Sequence, residues 1–248
     1  MSRRYDQKTT TFTNDGKLLQ VQYAIEAINK TGSAIGILTK EGIVLTTERQ
    51  DVSSLLEAPT HSEKIFQLDS HLYSVVNGLT ADANYLIDIA RVEAQNYKYH
   101  YGGENIPIEQ LLVKICDIKQ SYTQIGGLRP FGAAFLFAGH DRHLGYQLYS
   151  TDPSGNYFGW KAIAIGQKNA EANGLLKPSY KVDITLEEGI NLGIKALVKT
   201  MDTANPSPKK IEMVVISENK NSKKIEGRTL KEAEIRSLLE KNGFNAEK

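Results

Sequence analysis

Hydrophobic positions recur along this chain in two periods, and the changes of period lay out most of its elements. Leu18, Val21, Ile25 and Ile28 fall three or four apart and share one helical face, which Leu19, Tyr23 and Ala27 widen. Ahead of them, residues 5–13 are polar and rich in threonine, show no helical period, and close on the turn signal Asn14-Asp15-Gly16. Residues 33–39 and 43–47 read as strands joined across Lys40-Glu41-Gly42, and residues 65–68 and 72–76 repeat that hairpin across Asp69-Ser70-His71. A long helix is expected over residues 81–101, with Ala83, Ile87, Ala90, Ala94, Tyr97 and Tyr101 along one side and Gly102-Gly103 ending it. Pro107 starts the next helix, whose stripe is Leu111, Ile115, Ile118 and Tyr122. After the break at residues 126–130, strands are expected at 131–138, 145–149, 161–165 and 211–216. Helices are expected at 169–176, 186–200 and 230–241, and residues 220–224 read as a solvated loop.

Strands and helices therefore come in blocks rather than in strict alternation, which favours layered antiparallel packing over a doubly wound sheet. Ile43-Val44-Leu45 is apolar on both sides, as a strand covered on both faces would be. The class is α+β, with two sheets stacked between helix layers. No internal repeat or linker interrupts the pattern. Residues 14–242 are expected to form one domain whose first helix covers about residues 17–29, with a leader at 1–13 and a short tail at 243–248.

Composition narrows the picture little. Forty per cent hydrophobic residues in 248 support a sizeable core, and a net charge of +1 does not call for nucleic acid or an acidic substrate. The single cysteine, Cys116, excludes an internal disulfide and reads as a buried small hydrophobe. The first residues are polar and basic, and no run approaches membrane-spanning length. A soluble intracellular protein with no membrane partner is the expectation.

Tyr5-Asp6, Phe12, the turn Thr13-Asn14-Asp15-Gly16 and the helical run Gln20-Val21-Gln22-Tyr23-Ala24 together resemble the N-terminal signature of proteasome alpha-type subunits. That signature has a Tyr-Asp pair, an aromatic, a Ser-Pro-x-Gly turn, and then Gln-hydrophobic-acid-Tyr-Ala. Two positions depart from it: Thr13-Asn14 stands where the family has Ser-Pro, and Gln22 where it has an acid. The resemblance implies the four-layer αββα sandwich of the N-terminal nucleophile hydrolases. Catalytic members, the beta-type subunits, attack peptides with an N-terminal threonine whose own α-amine is the base, aided by a buried lysine.

Laid on that frame, Glu41-Gly42-Ile43-Val44-Leu45-Thr46-Thr47-Glu48 matches the turn, strand and acid, Gly32 falls on the nucleophile position and Lys64 on the lysine. Gly32 has no hydroxyl, and thirty-one residues precede it, so its nitrogen is an amide. A one-residue slip would bring in Thr31 after cleavage behind Lys30. Such a slip turns a whole strand over, which makes it the weaker reading. His140-Asp141-Arg142-His143 offers two imidazoles without a third ligand and reads as a polar turn. No phosphate-binding glycine pattern occurs, so no cofactor and no metal are expected.

The resemblance implies a non-catalytic role instead. Lys64, Gly32 and Leu79 would form a docking pocket for the C-terminal tails of activators or a regulatory particle. Read without the family, Lys64 is a plain surface charge. Tyr5, Asp6, Asn14 and Tyr23 would belong to the N-terminal cluster that gates a substrate pore. Asparagine at 14 can hold a turn but lacks the fixed φ of proline. The implied partners are other alpha-type subunits in a seven-member ring, beta-type subunits, activators and protein substrates in transit, in cytoplasm and nucleus.

Overall fold

The computed structural model describes residues 8–49, 55, 64–201, 206–219 and 222–244. One antiparallel sheet is built from β1 (Ala34–Leu38), β2 (Gly42–Glu48), β8 (Ala162–Ile165), β9 (Ile211–Glu218) and β10 (Ile225–Thr229), in the order β10-β9-β2-β1-β8. The other runs β3-β4-β5-β6-β7, from β3 (Ile65–Asp69), β4 (Leu72–Gly78), β5 (Ala133–Asp141), β6 (Gly145–Thr151) and β7 (Tyr157–Gly159). Both expected hairpins form, β1 with β2 and β3 with β4.

Alternating side chains along each strand explain why so many strands are apolar throughout. In β2, Ile43 and Leu45 point between the sheets, where they meet Val75, Leu136 and Leu148 of the second sheet. Val44 points the other way, into a core with Leu192, Ile194 and Leu197 of α5 (Leu186–Thr200) and Leu176 of α4 (Asn169–Ser179). On the far side, Leu72, Val76, Phe135 and Phe137 pack beneath α2 (Thr80–His100) and α3 (Ile108–Gln124) through Leu86, Ile87, Leu111 and Ile115. The result is helices, sheet, sheet, helices. α6 (Glu232–Lys241) adds Ile235 and Leu239 to the first helical layer. α5 starts where a capping box stops the chain: Thr185 Oγ1 accepts from the Glu188 amide at 3.3 Å, and the Glu188 carboxylate accepts from the Thr185 amide at 2.9 Å.

Three details differ from the periodic reading. β10 follows the segment read as a solvated loop and pairs with β9 from Ile225 opposite Glu218 to Thr229 opposite Val214. Its sequence, Ile-Glu-Gly-Arg-Thr, lacks an apolar alternation because it is an edge strand that is mostly exposed. β7 is a three-residue edge strand, too short for any period. Tyr101 is the C-cap of α2 rather than part of its buried side, and it stacks on Tyr97 with ring centroids 4.3 Å apart.

A fourth difference lies in α3. Lys119 is fully buried. Its ammonium donates to the Ala133 carbonyl at 3.0 Å, to Thr151 Oγ1 at 2.9 Å and to the Asp152 carbonyl at 3.2 Å, and it lies 4.8 Å from the centroid of the Phe135 ring. It ties the helix to the start of β5 and the end of β6. Burial pushes its pKa down to about 8, and the neighbouring Cys116 thiol, also buried, is pushed up to about 11.

Candidate functional site

α1 (Leu19–Ile28) lies against the end of the second sheet, with Val21 and Ile28 buried as the helical stripe requires. Tyr23 and Phe12 remain exposed. Ahead of the helix, the Thr13 carbonyl accepts from the Gly16 amide at 2.9 Å and Thr13 Oγ1 accepts from the Lys17 amide at 3.1 Å. Gly16, at φ +73°, supplies the left-handed residue. The turn thus closes with asparagine at position 14 and a threonine hydroxyl as its brace. Of the four expected gate residues the structure places Asn14 and Tyr23; Tyr5 and Asp6 lie outside the described residues.

After α1 the chain makes one tight turn into the first sheet. The Thr31 amide and hydroxyl both donate to the Ile28 carbonyl, at 3.0 Å and 2.7 Å, and the Thr31 carbonyl accepts from the Gln167 amide at 2.9 Å. Thr31 is therefore held on both sides as an ordinary turn residue. Gly32 follows, buried. Because β1 and β2 pair with Ala34 opposite Thr47, Gly32 lies beside the end of β2 at Glu48. In the second sheet the Val76 amide donates to the Lys64 carbonyl at 2.9 Å, which sets Lys64 at the same end, just ahead of β3.

These strand registers converge. A side chain starting at Gly32 would begin 3.1 Å from Lys64 Nζ and 3.3 Å from Glu48 Oε2. Lys64 Nζ is closed to solvent; burial lowers its pKa, while the negative charges of Glu48 and Glu212 oppose that fall. Glu212, on β9, is in turn paired with Arg49 at 3.0 Å. Among the described residues, Lys64 and Arg49 thus lie close to Glu48 and Glu212. Glu48 entered the sequence reading only as the acid of a pattern, and Arg49 and Glu212 not at all.

A buried polar side chain lies close to this cluster. Asn77 is 1 % exposed, and neither its amide nitrogen nor its oxygen has a hydrogen-bond partner among the described residues. It abuts Gly166, where an added Cβ would stand 2.0 Å from Asn77 Nδ2 and 2.8 Å from the Gly32 carbonyl oxygen. The signal for it was a polar residue on the inward-pointing positions of β4 shared by Tyr73 and Val75. Leu79 lies at this same end as the N-cap of α2, half exposed, its amide donating to the Gly132 carbonyl at 2.8 Å. The atoms nearest to Gly32 belong to Lys64 and Glu48, not to Leu79.

Elsewhere, of the segment read as a polar turn, His140 and Asp141 end β5, and the turn itself covers residues 142–144. Asp141 Oδ1 accepts from the amides of His143 and Leu144 at 2.7 Å and 2.9 Å, Arg142 pairs with Glu104 at 2.8 Å, and the His140 ring meets Tyr146 edge-on. A groove of about 920 Å³ opens beside this turn, at the opposite end of the strands from Gly32. Its rim mixes Arg142, Lys223 and Lys224 with Glu104, Glu218 and Glu226, so it has no dominant sign with which to select a ligand. Among the described residues, no helix is long and apolar enough to cross a membrane.

Two family profiles match the chain. Residues 5–27 match one described as the N-terminal signature of the A-type proteasome subunits, and residues 28–216 match one for proteasome subunits in general. The chain belongs to the proteasome subunit family. It is similar to the alpha type-4-A proteasome subunit of Arabidopsis thaliana, 52% identical over 87% of this chain and 86% of that protein. It is also similar to the alpha type-4 proteasome subunits of Petunia hybrida, at 48% over 98% and 97%, and of Dictyostelium discoideum, at 51% over 86% and 85%.

The boundary between the two profiles has a structural meaning. It falls at the end of α1, so the alpha signature covers the leader, its turn and the helix, while the general profile opens at Ile28, four residues before Gly32. The α+β sandwich, with two antiparallel sheets between helical layers, is that of the proteasome family and its N-terminal nucleophile hydrolase fold. As an alpha-type proteasome subunit, the chain carries the frame of Gly32, Glu48 and Lys64 behind an N-terminal segment that ends in a helix.

Proposed function

We propose that this proteasome subunit serves the alpha ring without catalysing peptide cleavage. In this reading it packs among alpha-type neighbours and on beta-type subunits, contributes its N-terminal segment to a gated pore through which protein substrates pass, and offers a docking point to activators, in cytoplasm and nucleus. The observation that carries the non-catalytic reading is Gly32. It stands between the lysine and the acid where a nucleophile is needed, with no hydroxyl and with a peptide amide in place of a free amine. The hydrogen bonds that hold both faces of Thr31 argue against the rival, a hydrolase released by cleavage before Thr31. A threonine-directed covalent warhead applied to assembled particles should label threonine-bearing subunits and leave this chain unmodified. A labelled chain whose mass begins at Thr31 would overturn the reading.

The docking role rests on the same cluster of residues. An ammonium is a strong point charge for a terminal carboxylate, and the missing side chain at Gly32 leaves backbone within reach of a peptide end. Leu79, exposed at the same end of the strands, would supply an apolar wall. Lys64→Ala is expected to weaken the binding of tail-docking activators about ten- to hundredfold, the loss of one charge-assisted contact. Equal affinity for wild type and variant would remove the assignment.

A further inference from the structure

We propose that Gly132 and the Asp82–Arg129 pair are the positioning residues of the docking wall: they fix where Leu79 stands, and with it how the site reads the apolar part of a tail. This rests on the docking reading above and adds the residues that set its selectivity. α3 ends at Gln124 and β5 begins at Ala133, and Gly132 closes the irregular segment between them. Two hydrogen bonds fasten it to the first turn of α2, one in each direction. The Leu79 amide donates to the Gly132 carbonyl at 2.8 Å, and the Gly132 amide donates to Asp82 Oδ2 at 2.8 Å.

Asp82 is itself gripped. Arg129 donates through Nη1 to Asp82 Oδ2 at 2.6 Å and through Nη2 to Oδ1 at 2.8 Å, a fork that fixes the plane of the carboxylate as well as its place. The guanidinium holds the Asp82 carboxyl below the usual carboxylate range, and its Nη1 also donates to the Pro130 carbonyl at 3.2 Å. Leu79, half exposed, caps α2 with no side-chain hydrogen bond of its own. Its side chain rests on Gly132: a Cβ added there would stand 2.9 Å from Leu79 Cδ1 and 3.2 Å from Cγ. The missing carbon at 132 is therefore the seat of the Leu79 side chain, and the Asp82–Arg129 fork keeps that seat in place. An exposed leucine is ordinary by itself. One seated on a glycine and tied down by a forked ion pair has its orientation settled before a ligand arrives, and such a preorganised surface favours the side chains that match it.

The test uses assembled particles carrying the wild-type chain, Gly132→Ala, Arg129→Gln, Leu79→Ala or Lys64→Ala. The probes are two photoreactive peptides with free C-terminal carboxylates, alike except that the two residues before the last are leucine in one and serine in the other. Adduct formed on this chain is titrated by mass spectrometry, so that other subunits of the particle do not contribute. In wild type, burial of an apolar side chain against Leu79 is expected to favour the leucine peptide about tenfold in half-saturating concentration. Gly132 lies outside the left-handed region, so alanine fits its backbone, and the added carbon meets the outer carbons of Leu79. Gly132→Ala is expected to cut the preference below about threefold while leaving the serine peptide within about twofold of wild type. A general loosening of the fold would weaken both peptides together. Arg129→Gln, at an exposed side chain, should lower the preference in the same direction, and Leu79→Ala should abolish it. A full preference in Gly132→Ala, or one that survives Leu79→Ala, would overturn the positioning role; if labelling is still lost in Lys64→Ala, docking itself stands. Labelling indifferent to Lys64→Ala would overturn the docking reading. If Gly132→Ala chains fail to assemble, Arg129→Gln decides, and a wild-type preference in it would count against the proposal.

Discussion

Lys119→Ala is expected to destabilise the chain by about 3–5 kcal/mol, read as a lower thermal or urea midpoint against wild type in the same assembly state. The substitution leaves the carbonyls of Ala133 and Asp152 and the hydroxyl of Thr151 without the donor they share, and opens a cavity beneath the second sheet. Unpaired acceptors cost about 1–3 kcal/mol each, and the lost side-chain volume adds on the order of 2 kcal/mol. Against this stands a relief. Holding the ammonium in a site where its pKa falls to about 8 costs on the order of 3 kcal/mol at neutral pH. The losses win. The relief has its own signature in pH. The unfolded chain keeps the lysine proton up to its ordinary pKa of 10.5, whereas the folded chain releases it through about 8. Between those values the unfolded state binds more protons, so stability rises with pH. Cys116 acts in the opposite sense once its unfolded thiol starts to titrate near 9, because its folded pKa is about 11. The clean window is thus about pH 7.5 to 9, where wild type should gain stability and Lys119→Met should show a flatter profile. A flat wild-type profile there would mean that the ammonium is not held as described.

Gly78→Ala is expected to be at least as damaging, costing about 4 kcal/mol or more and sharply reducing soluble yield. Gly78 ends β4 at φ +114°, a backbone conformation that L side chains rarely adopt, and a Cβ there would stand 2.1 Å from the Gly132 carbonyl oxygen. Neither atom can yield, since Gly78 pairs with Ala133 across the sheet and the Gly132 oxygen accepts from the Leu79 amide. Gly102→Ala is the matched control. It has φ +64° and nothing within 4 Å of the added carbon, so its expected cost is about 1 kcal/mol. Similar midpoints for the two variants would show that the β4–α2 junction tolerates more than its geometry allows.

Gly32 and Lys64 were brought together in the sequence only by the family resemblance, and strand pairing supplies the physical reason that they meet, with Glu48, in the structure. Once β1 and β2 are registered, Gly32 has to lie beside Glu48, and the β3–β4 hairpin brings Lys64 to the same end. Leu79 was less legible, since it follows a glycine whose backbone angle redirects the chain. Lys119 was missed for a different reason. It stands four residues after Ile115, squarely on the buried stripe of α3, but a charged residue on a stripe is ordinarily discounted as solvent-facing. β10 was missed because backbone pairing with β9, not apolar alternation, makes it a strand. The turn at residues 13–16 was legible as a turn. That the Thr13 hydroxyl would brace it, with asparagine at 14 where the family has proline, was not.

The bonds that grip Thr31 have a consequence for how holding and cutting could interconvert. One substitution at Gly32 could restore an oxygen beside Lys64, and it would still yield no hydrolase. The amine that such an enzyme needs is locked in a peptide link, directly after a residue whose amide, hydroxyl and carbonyl are all engaged. Conversion would demand a severed backbone and the loss of everything ahead of the break, including the helix that marks the alpha type.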